Sequence, residues 1–221
     1  MNANLISYSQ TPYGILNKQL IDLVAYCARV SNPGNQDNSA TNEKLVNYLI
    51  KNQHWSPLEM VSCCIEIETT RDIARQVLRH RSFSFQEFSQ RYADPTKDLE
   101  FMTREARMQD PKNRQNSIKS DNDGLHIEWH RRQRNVIEAA TNAYEWAINN
   151  GIAKEQARVV LPEGNTMSRL YVNGTLRSWI HYIQLRAANG TQQEHIELAK
   201  ACARAIANIF PMDENGNITS K

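Results

Sequence analysis

One change in hydrophobic period limits what this chain can fold into. Val61, Cys63, Ile65 and Ile67 alternate with more polar neighbours, which is the period-two pattern of a β-strand with one face in water. Most other apolar residues recur at helical spacing, and a second, weaker strand is predicted over residues 99–103. The sequence therefore predicts an α+β fold that is rich in helix, with a small, mainly antiparallel sheet flanked by helices.

Helical periodicity and breaker residues predict the helices. The first is predicted over residues 13–29, before the breaker Ser31-Asn32-Pro33-Gly34. Thr70 is predicted to cap a short helix that begins at Arg71. The remaining predicted helices span residues 41–51, 125–149, 154–160, 176–187 and 192–209. Residues 108–123 are polar and predict an exposed loop, and residues 212–221 predict a frayed tail. We expect residues 1–221 to form a single domain.

Composition excludes several classes of protein. The 221 residues carry 26 basic and 24 acidic side chains, a formal net charge of +2, which argues against bulk electrostatic binding of nucleic acid or membrane. No apolar run approaches the ~20 residues of a membrane span, and residues 1–10 show no secretory leader. The four cysteines form no C-x-x-C pair. We therefore expect reduced thiols, no metal site and a cytoplasmic location.

Residues 70–92 concentrate arginine. This segment holds five arginines and no lysine, against two acids. Arginine alone indicates that geometry matters, because its planar fork binds phosphate or a pyrimidine carbonyl through two hydrogen bonds. The alternative is an arginine-rich surface helix. However, like charges four residues apart cost a few tenths of a kcal/mol each, so a ligand would explain them better.

The same segment resembles the signature of the flavin-dependent thymidylate synthases. The matching residues are Arg79-His80-Arg81-x-x-Ser84-x-x-Glu87-x-Ser89-x-Arg91-Tyr92. Four further segments are similar to family motifs: residues 54–59, 155–162, 173–186 and Gln192-x-Glu194. Gln86, Thr175 and Gly190-Thr191 depart from residues common in the family. The resemblance covers residues 53–196.

The resemblance implies an FAD enzyme that assembles as a homotetramer, with each FAD held between subunits. It implies FAD contacts from His54, Ser56, Arg79, His80, Arg81, Glu87, Thr175, Arg177 and His181. The sequence has no G-x-G-x-x-G motif and no P-loop lysine, which fits a cofactor that is not bound in the Rossmann manner.

The resemblance also implies a substrate, dUMP, and a reaction. The implied dUMP contacts are Gln76, Arg79, Glu87, Ser89, Gln90, Arg91, Arg158 and Arg186. The implied reaction is reductive methylation of dUMP at C5, with 5,10-methylenetetrahydrofolate as methylene donor, reduced flavin as hydride donor and NADPH as reductant. Arg186 is the expected catalytic residue, because its charge would stabilise the negative charge that develops on N3 and O2 of uracil. No residue is assigned to the folate.

Two other interpretations remain open. The chain could be a non-enzymatic protein that binds single-stranded nucleic acid, with Phe83, Phe85 and Phe88 as stacking platforms between arginines. It could also be a degenerate family member that binds flavin or nucleotide without turnover. Ser89 is interpreted as a substrate contact rather than a nucleophile, since no general base lies beside it in the sequence.

Overall fold

The computed structural model describes residues 1–11 and 19–219, and its centre is a four-stranded antiparallel sheet. A separate two-stranded hairpin lies outside this sheet. The strands are β1 Asn2–Tyr8, β2 Ser62–Thr70, β3 Ser84–Glu87, β4 Arg107–Gln109, β5 Ser117–Lys119 and β6 Met167–Thr175. The central sheet has the order β1-β2-β6-β3, and β4 pairs with β5.

The described residues also form eight helices. They are α1 Leu20–Ala28, α2 Asn42–Lys51, α3 Arg71–Val77, α4 Pro95–Asp98, α5 Asp123–Asn149, α6 Lys154–Ala157, α7 Leu176–Arg186 and α8 Gln193–Ala207. Short 3₁₀ turns span Pro33–Asn35, Ser56–Glu59 and Arg158–Val160. The predicted fold class, a helix-rich α+β chain with small antiparallel sheets, is confirmed. The part of the first predicted helix over residues 13–18 lies outside the described residues.

The alternation of apolar and polar residues that predicted β2 corresponds to the burial of alternate side chains. Val61, just before the strand, and Cys63, Ile65 and Ile67 on it are all buried, facing a core built on α7 and α8. On the outward face, the Arg169 guanidinium of the neighbouring strand β6 donates to Glu68. The sheet thus has one apolar face and one polar face, as the period-two pattern requires.

The predicted strand over residues 99–103 is wrong. Only Phe101 forms a bridge, with Thr166. Beyond it, the amide of Gln133 takes the place of a strand neighbour: its Oε1 accepts from Arg104 N at 2.8 Å and its Nε2 donates to Arg104 O at 2.9 Å. A side chain from α5 therefore satisfies backbone groups that a second strand would otherwise bind.

Two segments predicted as irregular are ordered over their described residues; residues 220–221 of the predicted tail lie outside the described residues. The predicted loop over residues 108–123 contains most of the β4–β5 hairpin, where the Asp110 carboxylate accepts from the backbone of Lys112 and Asn113. These bonds lower the pKa of Asp110. In the predicted frayed tail, Met212 is buried and bridges to Ile218. Local hydrogen bonds to Asp side chains order both turns.

Candidate active site

Arg79, His80 and Arg81 lie in the turn that ends α3 and leads to β3. His80 N donates to Val77 O at 3.0 Å and Phe83 N donates to His80 O at 3.2 Å, so the backbone leaves the helix at this point. Arg79 and Arg81 are exposed, whereas His80 is half-buried. The histidine is thus more buried than the two arginines beside it.

His80 binds Arg186, the last residue of α7. Arg186 Nε donates to His80 Nε2 at 2.9 Å. Burial, together with the charges of Arg186 and Arg79, lowers the pKa of His80 to about 4. The imidazole is therefore neutral at pH 7 and serves as an acceptor that orients the guanidinium. The remaining N–H groups of Arg186 are left to bind a substrate.

A second neutral histidine lies behind this pair. His195 is fully buried; Tyr182 donates to its Nε2 at 3.1 Å and its Nδ1 donates to Gln76 Oε1 at 3.1 Å. Burial, followed by the charges of Arg186 and His80, lowers the pKa of His195 to about 3. Packing of Tyr182 against His80, with ring centroids 4.9 Å apart, joins the two histidines into one buried cluster.

These two pKa values predict an acid-sensitive fold. Both histidines ionise near pH 6.5 in the unfolded chain but stay neutral in the folded protein down to about pH 4 and 3. Below pH 6.5 the unfolded state therefore binds more protons than the folded state, and the free energy of unfolding decreases as the pH decreases. We expect the melting temperature to drop between pH 7 and 5, and to drop less in His195→Asn. An equal drop in both proteins, measured by scanning calorimetry, would contradict this origin.

Glu87 lies at the end of β3 beside a buried arginine. Ser168 Oγ donates to Glu87 Oε1 at 2.9 Å, and Arg71 Nη1 lies 3.5 Å from the same oxygen. Arg71 is buried, and its Nη1 has no hydrogen-bond partner among the described residues. Burial lowers the pKa of Arg71, although Glu87 opposes the shift. This pair offers a carboxylate acceptor and an unsatisfied guanidinium donor to a ligand.

Ser89, Gln90 and Arg91 form a tight turn after β3. The backbone N–H groups of Tyr92 and Ala93 donate to Ser89 O. Gln90 is buried, with Nε2 lacking a partner among the described residues, and Arg91 is exposed, 3.6 Å from a carboxylate oxygen of Glu155. The turn therefore collects hydroxyl, amide and guanidinium donors in one short segment.

Arg158 approaches the same region from a distant part of the chain. It begins the 3₁₀ turn after α6, and its charge is among the causes that lower the pKa of Arg71. The structure thus brings Glu87, Ser89, Gln90, Arg91 and Arg158 to one end of the sheet.

The remaining predicted FAD residues lie at the opposite end of β6. Thr175 caps α7 by accepting from Ser178 N at 3.3 Å, and Arg177 in the first turn of α7 pairs with Glu59. His181 packs edge-on against Trp55, between His54 and Ser56, at 4.3 Å between ring centroids. Burial and the charge of Arg177 lower the pKa of His181.

The strand register gives the separation of the two ends. Glu87 pairs with Leu170, whereas Ser62 pairs with Thr175, five residues further along β6. At about 3.4 Å per residue, the two groups of predicted residues are separated by ~17 Å along the strand. One copy of the chain therefore presents its predicted contacts as two groups. Arg79–Arg81 belong to the group near Thr175, because the start of β3, Ser84, pairs with Asn173.

Gln76 belongs to a hydrogen-bond network beside a large cleft. Its Nε2 donates to Gln192 Oε1 at 2.9 Å, and Gln192 Nε2 donates to Glu194 Oε2 at 2.9 Å. The cleft, of about 730 Å³, lies between the β4–β5 hairpin and the start of α8, and Gln192, Glu194 and Arg107 line it. The network links this cleft to the residues around His80.

Sequence reasoning missed four residues of these networks: Arg71, Ser168, Tyr182 and His195. Arg71 was visible as one of five arginines, but its burial against Glu87 depends on the pairing of β3 with β6. Tyr182 and His195 are thirteen residues apart on different helices. A buried polar residue on an otherwise apolar helix face was the available signal, and it does not name a partner.

The described residues form neither a metal-binding cluster nor a membrane-spanning helix. Among residues 1–11 and 19–219, no three His, Cys, Asp or Glu side chains gather as metal ligands. His126 and His130 have separate partners, Ser120 O and Thr103 Oγ1. Within the same residues, no helix is both long and apolar enough to cross a membrane.

Comparison with known sequences places these residues in a family. Residues 16–212 match the family described as Thymidylate synthase complementing protein. The chain is 46% identical over 211 residues to a probable flavin-dependent thymidylate synthase of Paramecium bursaria Chlorella virus 1, covering 96% of each chain. It is 48% identical over 189 residues to a flavin-dependent thymidylate synthase of a Synechocystis species, covering 86% of this chain and 85% of that protein.

A solved structure agrees with the sequence comparisons. The fold matches a UMP/dUMP methylase, PolB from Streptomyces cacaoi bound with 5-Br dUMP, with a TM-score of 0.78 and 26% sequence identity. The match covers 97% of this chain and 93% of the other. With the profile match over residues 16–212 and relatives at 46% and 48% identity, the chain belongs to the family of flavin-dependent thymidylate synthases.

Proposed function

We propose that this chain catalyses the reductive methylation of dUMP to dTMP, with FAD as redox cofactor. The methylene carbon comes from 5,10-methylenetetrahydrofolate, NADPH is the reductant, and the C5 hydrogen of uracil leaves as a proton. Membership of the family supports this assignment, as does the likeness to a structure described as a UMP/dUMP methylase.

The observation that carries the proposal is the pairing of Arg186 with a neutral His80. The 2.9 Å bond from Nε to Nε2 fixes the guanidinium plane, and partial burial strengthens its field. A uracil placed against it would meet positive charge where N3 and O2 become negative as C5 attacks the methylene carbon. Preorganised charge of this kind lowers the barrier without reorganisation during the reaction.

The proposed nucleotide site uses the donors gathered beyond β3. A phosphate monoester is close to a dianion and requires several donors; Ser89, Arg91 and Arg158 would supply them. Five buried side-chain atoms have no hydrogen-bond partner among the described residues, and two of them, Arg71 Nη1 and Gln90 Nε2, lie here. They support a ligand at this place, since buried donors are normally satisfied. Glu87 would accept a hydrogen bond from the ribose.

The side chains of the turn after α3 and of the first turn of α7 suit FAD. Arg79 and Arg81 are exposed on the turn, and Arg177 stands in the first turn of α7. Guanidinium groups and the His54 and His181 imidazoles suit a diphosphate and a flavin ring, so the residues fit. When bound and reduced, FAD supplies the hydride that converts the transferred methylene to methyl.

We further propose that the active form is a homotetramer whose FAD sites are shared. Two features support it. One predicted FAD contact of this chain, Glu87, lies ~17 Å along β6 from Thr175, whereas the turn that carries Arg79–Arg81 lies at the Thr175 end. In addition, Ile127 and Trp146 on α5 are 71% and 63% exposed, and Val159 nearby in sequence is 84% exposed. These side chains would be covered in the proposed tetramer.

The nucleic-acid alternative depends on exposed aromatic rings. Phe83 is buried against Trp179, with ring centroids 4.6 Å apart, and Phe85 and Phe88 are half-buried. A base cannot stack on a ring whose faces are already packed. The structure therefore gives no specific support to that function.

The test of the proposed function is spectroscopic and catalytic. Purified protein is expected to be yellow or to take up added FAD, and its flavin absorbance should bleach with NADPH, most effectively when dUMP is present. With methylenetetrahydrofolate added, dTMP should form. Flavin uptake and dUMP binding without dTMP would identify a degenerate family member. Protein that neither takes up FAD nor shifts its melting temperature with dUMP would refute the proposal.

A further inference from the structure

Four side chains form a hydrogen-bonded series from the β4–β5 hairpin to α3, and a fifth, His195, extends the series. Arg107 donates to one oxygen of Glu194, and the other oxygen accepts from Gln192 Nε2 at 2.9 Å. Gln192 Oε1 accepts from Gln76 Nε2 at 2.9 Å. Gln76 Oε1 accepts from His195 Nδ1 at 3.1 Å. Each link is short enough for a hydrogen bond.

The direction of donation along this hydrogen-bonded series is fixed at the Arg107 end. Glu194 is buried; burial alone would raise the pKa of its carboxyl, but hydrogen bonds and the charge of Arg107 lower it overall. An ionised carboxylate only accepts, so Gln192 must turn its NH₂ group towards Glu194. Gln192 then offers its carbonyl to Gln76, and Gln76 must turn its own NH₂ group towards Gln192.

The opposite end adapts to this direction. With the Gln76 carbonyl turned towards it, His195 must carry its proton on Nδ1, and its Nε2 then accepts from the hydroxyl of Tyr182. Imidazole can exchange tautomers, and a hydroxyl can donate or accept. The ion pair is therefore the element that sets the orientation, and the histidine follows it.

We propose that Glu194 and Gln192 are positioning residues that fix which way the Gln76 amide presents its N–H and carbonyl to dUMP. The inference rests on the proposed function, since Gln76 is taken as a dUMP contact. After the two internal bonds, Gln76 retains one N–H and one carbonyl lone pair for the substrate. A reversed Gln76 amide would exchange these two groups. A donor of Gln76 would then face a donor of dUMP, or an acceptor would face an acceptor, and a hydrogen bond would be lost.

The test is Glu194→Gln. Arg107 would continue to bind the carbonyl oxygen of the new side chain, so the new NH₂ group would face Gln192. This reverses the direction of donation in each hydrogen bond as far as His195. We expect dUMP affinity, measured by calorimetry on the FAD-loaded protein, to fall about tenfold. In a Gln76→Ala background the same substitution should change affinity by no more than about twofold.

This cycle distinguishes positioning from a structural role. A structural defect would act equally with and without the Gln76 side chain, and equal losses in the two backgrounds would overturn the inference. Glu197→Gln is the matched control: Glu197 is exposed on the same helix and accepts a hydrogen bond from Gln193. It is expected to leave dUMP affinity unchanged. If wild-type protein fails to bind dUMP, the proposed function fails instead.

A second variant covers the case in which Glu194→Gln does not fold. Gln192→Met keeps the length of the side chain and removes the link between Glu194 and Gln76. We expect it to weaken dUMP binding about threefold, because Gln76 then samples both orientations and loses a partner. Wild-type affinity in a folded Gln192→Met protein would overturn the inference.

Discussion

Replacement of Arg186 with alanine is expected to lower kcat by about 10²–10³-fold, the typical cost of removing one preorganised donor from a developing negative charge. The guanidinium is held by His80 at 2.9 Å, so its orientation is set before substrate binds. The residue lies at the C-terminal end of α7 and is half-buried. Loss of the guanidinium should therefore abolish most of the turnover to dTMP, while the variant keeps some of its bound flavin.

Formation of dTMP under saturating dUMP and folate measures this effect, with flavin absorbance measured on the same sample. Arg204→Ala is the matched control, because Arg204 is an exposed arginine on α8 that pairs with Glu214. Arg186→Lys should fall between the two, since an ammonium group has a charge but lacks the fork that binds His80 and substrate together. Turnover close to that of wild type in Arg186→Ala would remove Arg186 from the mechanism.

The sequence identifies the family more directly than it predicts the sheet. The spacing from Arg79 to Tyr92 identifies a family, and a family motif names residues whatever fold positions them. It does not show that Glu87 and Thr175 lie at opposite ends of β6, because that depends on strand register. Nor does it show which arginines are buried. Arg71 and Arg75 look alike in the sequence, yet only Arg71 is buried, beside Glu87.

The strands that the period-two pattern did not predict fall into two cases. In β6 the buried positions include Ser168 and Gly174, which are not apolar residues, so the alternation with Leu170 and Val172 is masked. The edge strands β1 and β3 are partly exposed on both faces, and β3 has four residues. Only β2, which is paired on both sides, shows a clear period. Burial creates the pattern, so edge strands show it weakly.

Gly174 connects the sheet to the signature segment and gives the second large prediction. A Cβ placed on this glycine would lie 2.3 Å from Cδ1 of Phe83 and 2.6 Å from Cε1. The ring cannot withdraw, because it packs against Trp179 with centroids 4.6 Å apart. Phe83 in turn follows Arg81 by two residues, so moving the ring would displace the turn that carries Arg79–Arg81.

Gly174→Ala is therefore expected to lower the free energy of unfolding by about 2 kcal/mol, the usual cost of forcing atoms into a packed core. Gly164→Ala is the matched control, since a Cβ there meets no atom within 4 Å. Chemical denaturation measures both. Adding Phe83→Ala removes the two ring atoms that the new methyl would strike, so the double variant should lose less stability than the sum of the two single changes. Additive losses would mean that the backbone, rather than the ring, absorbs the new methyl.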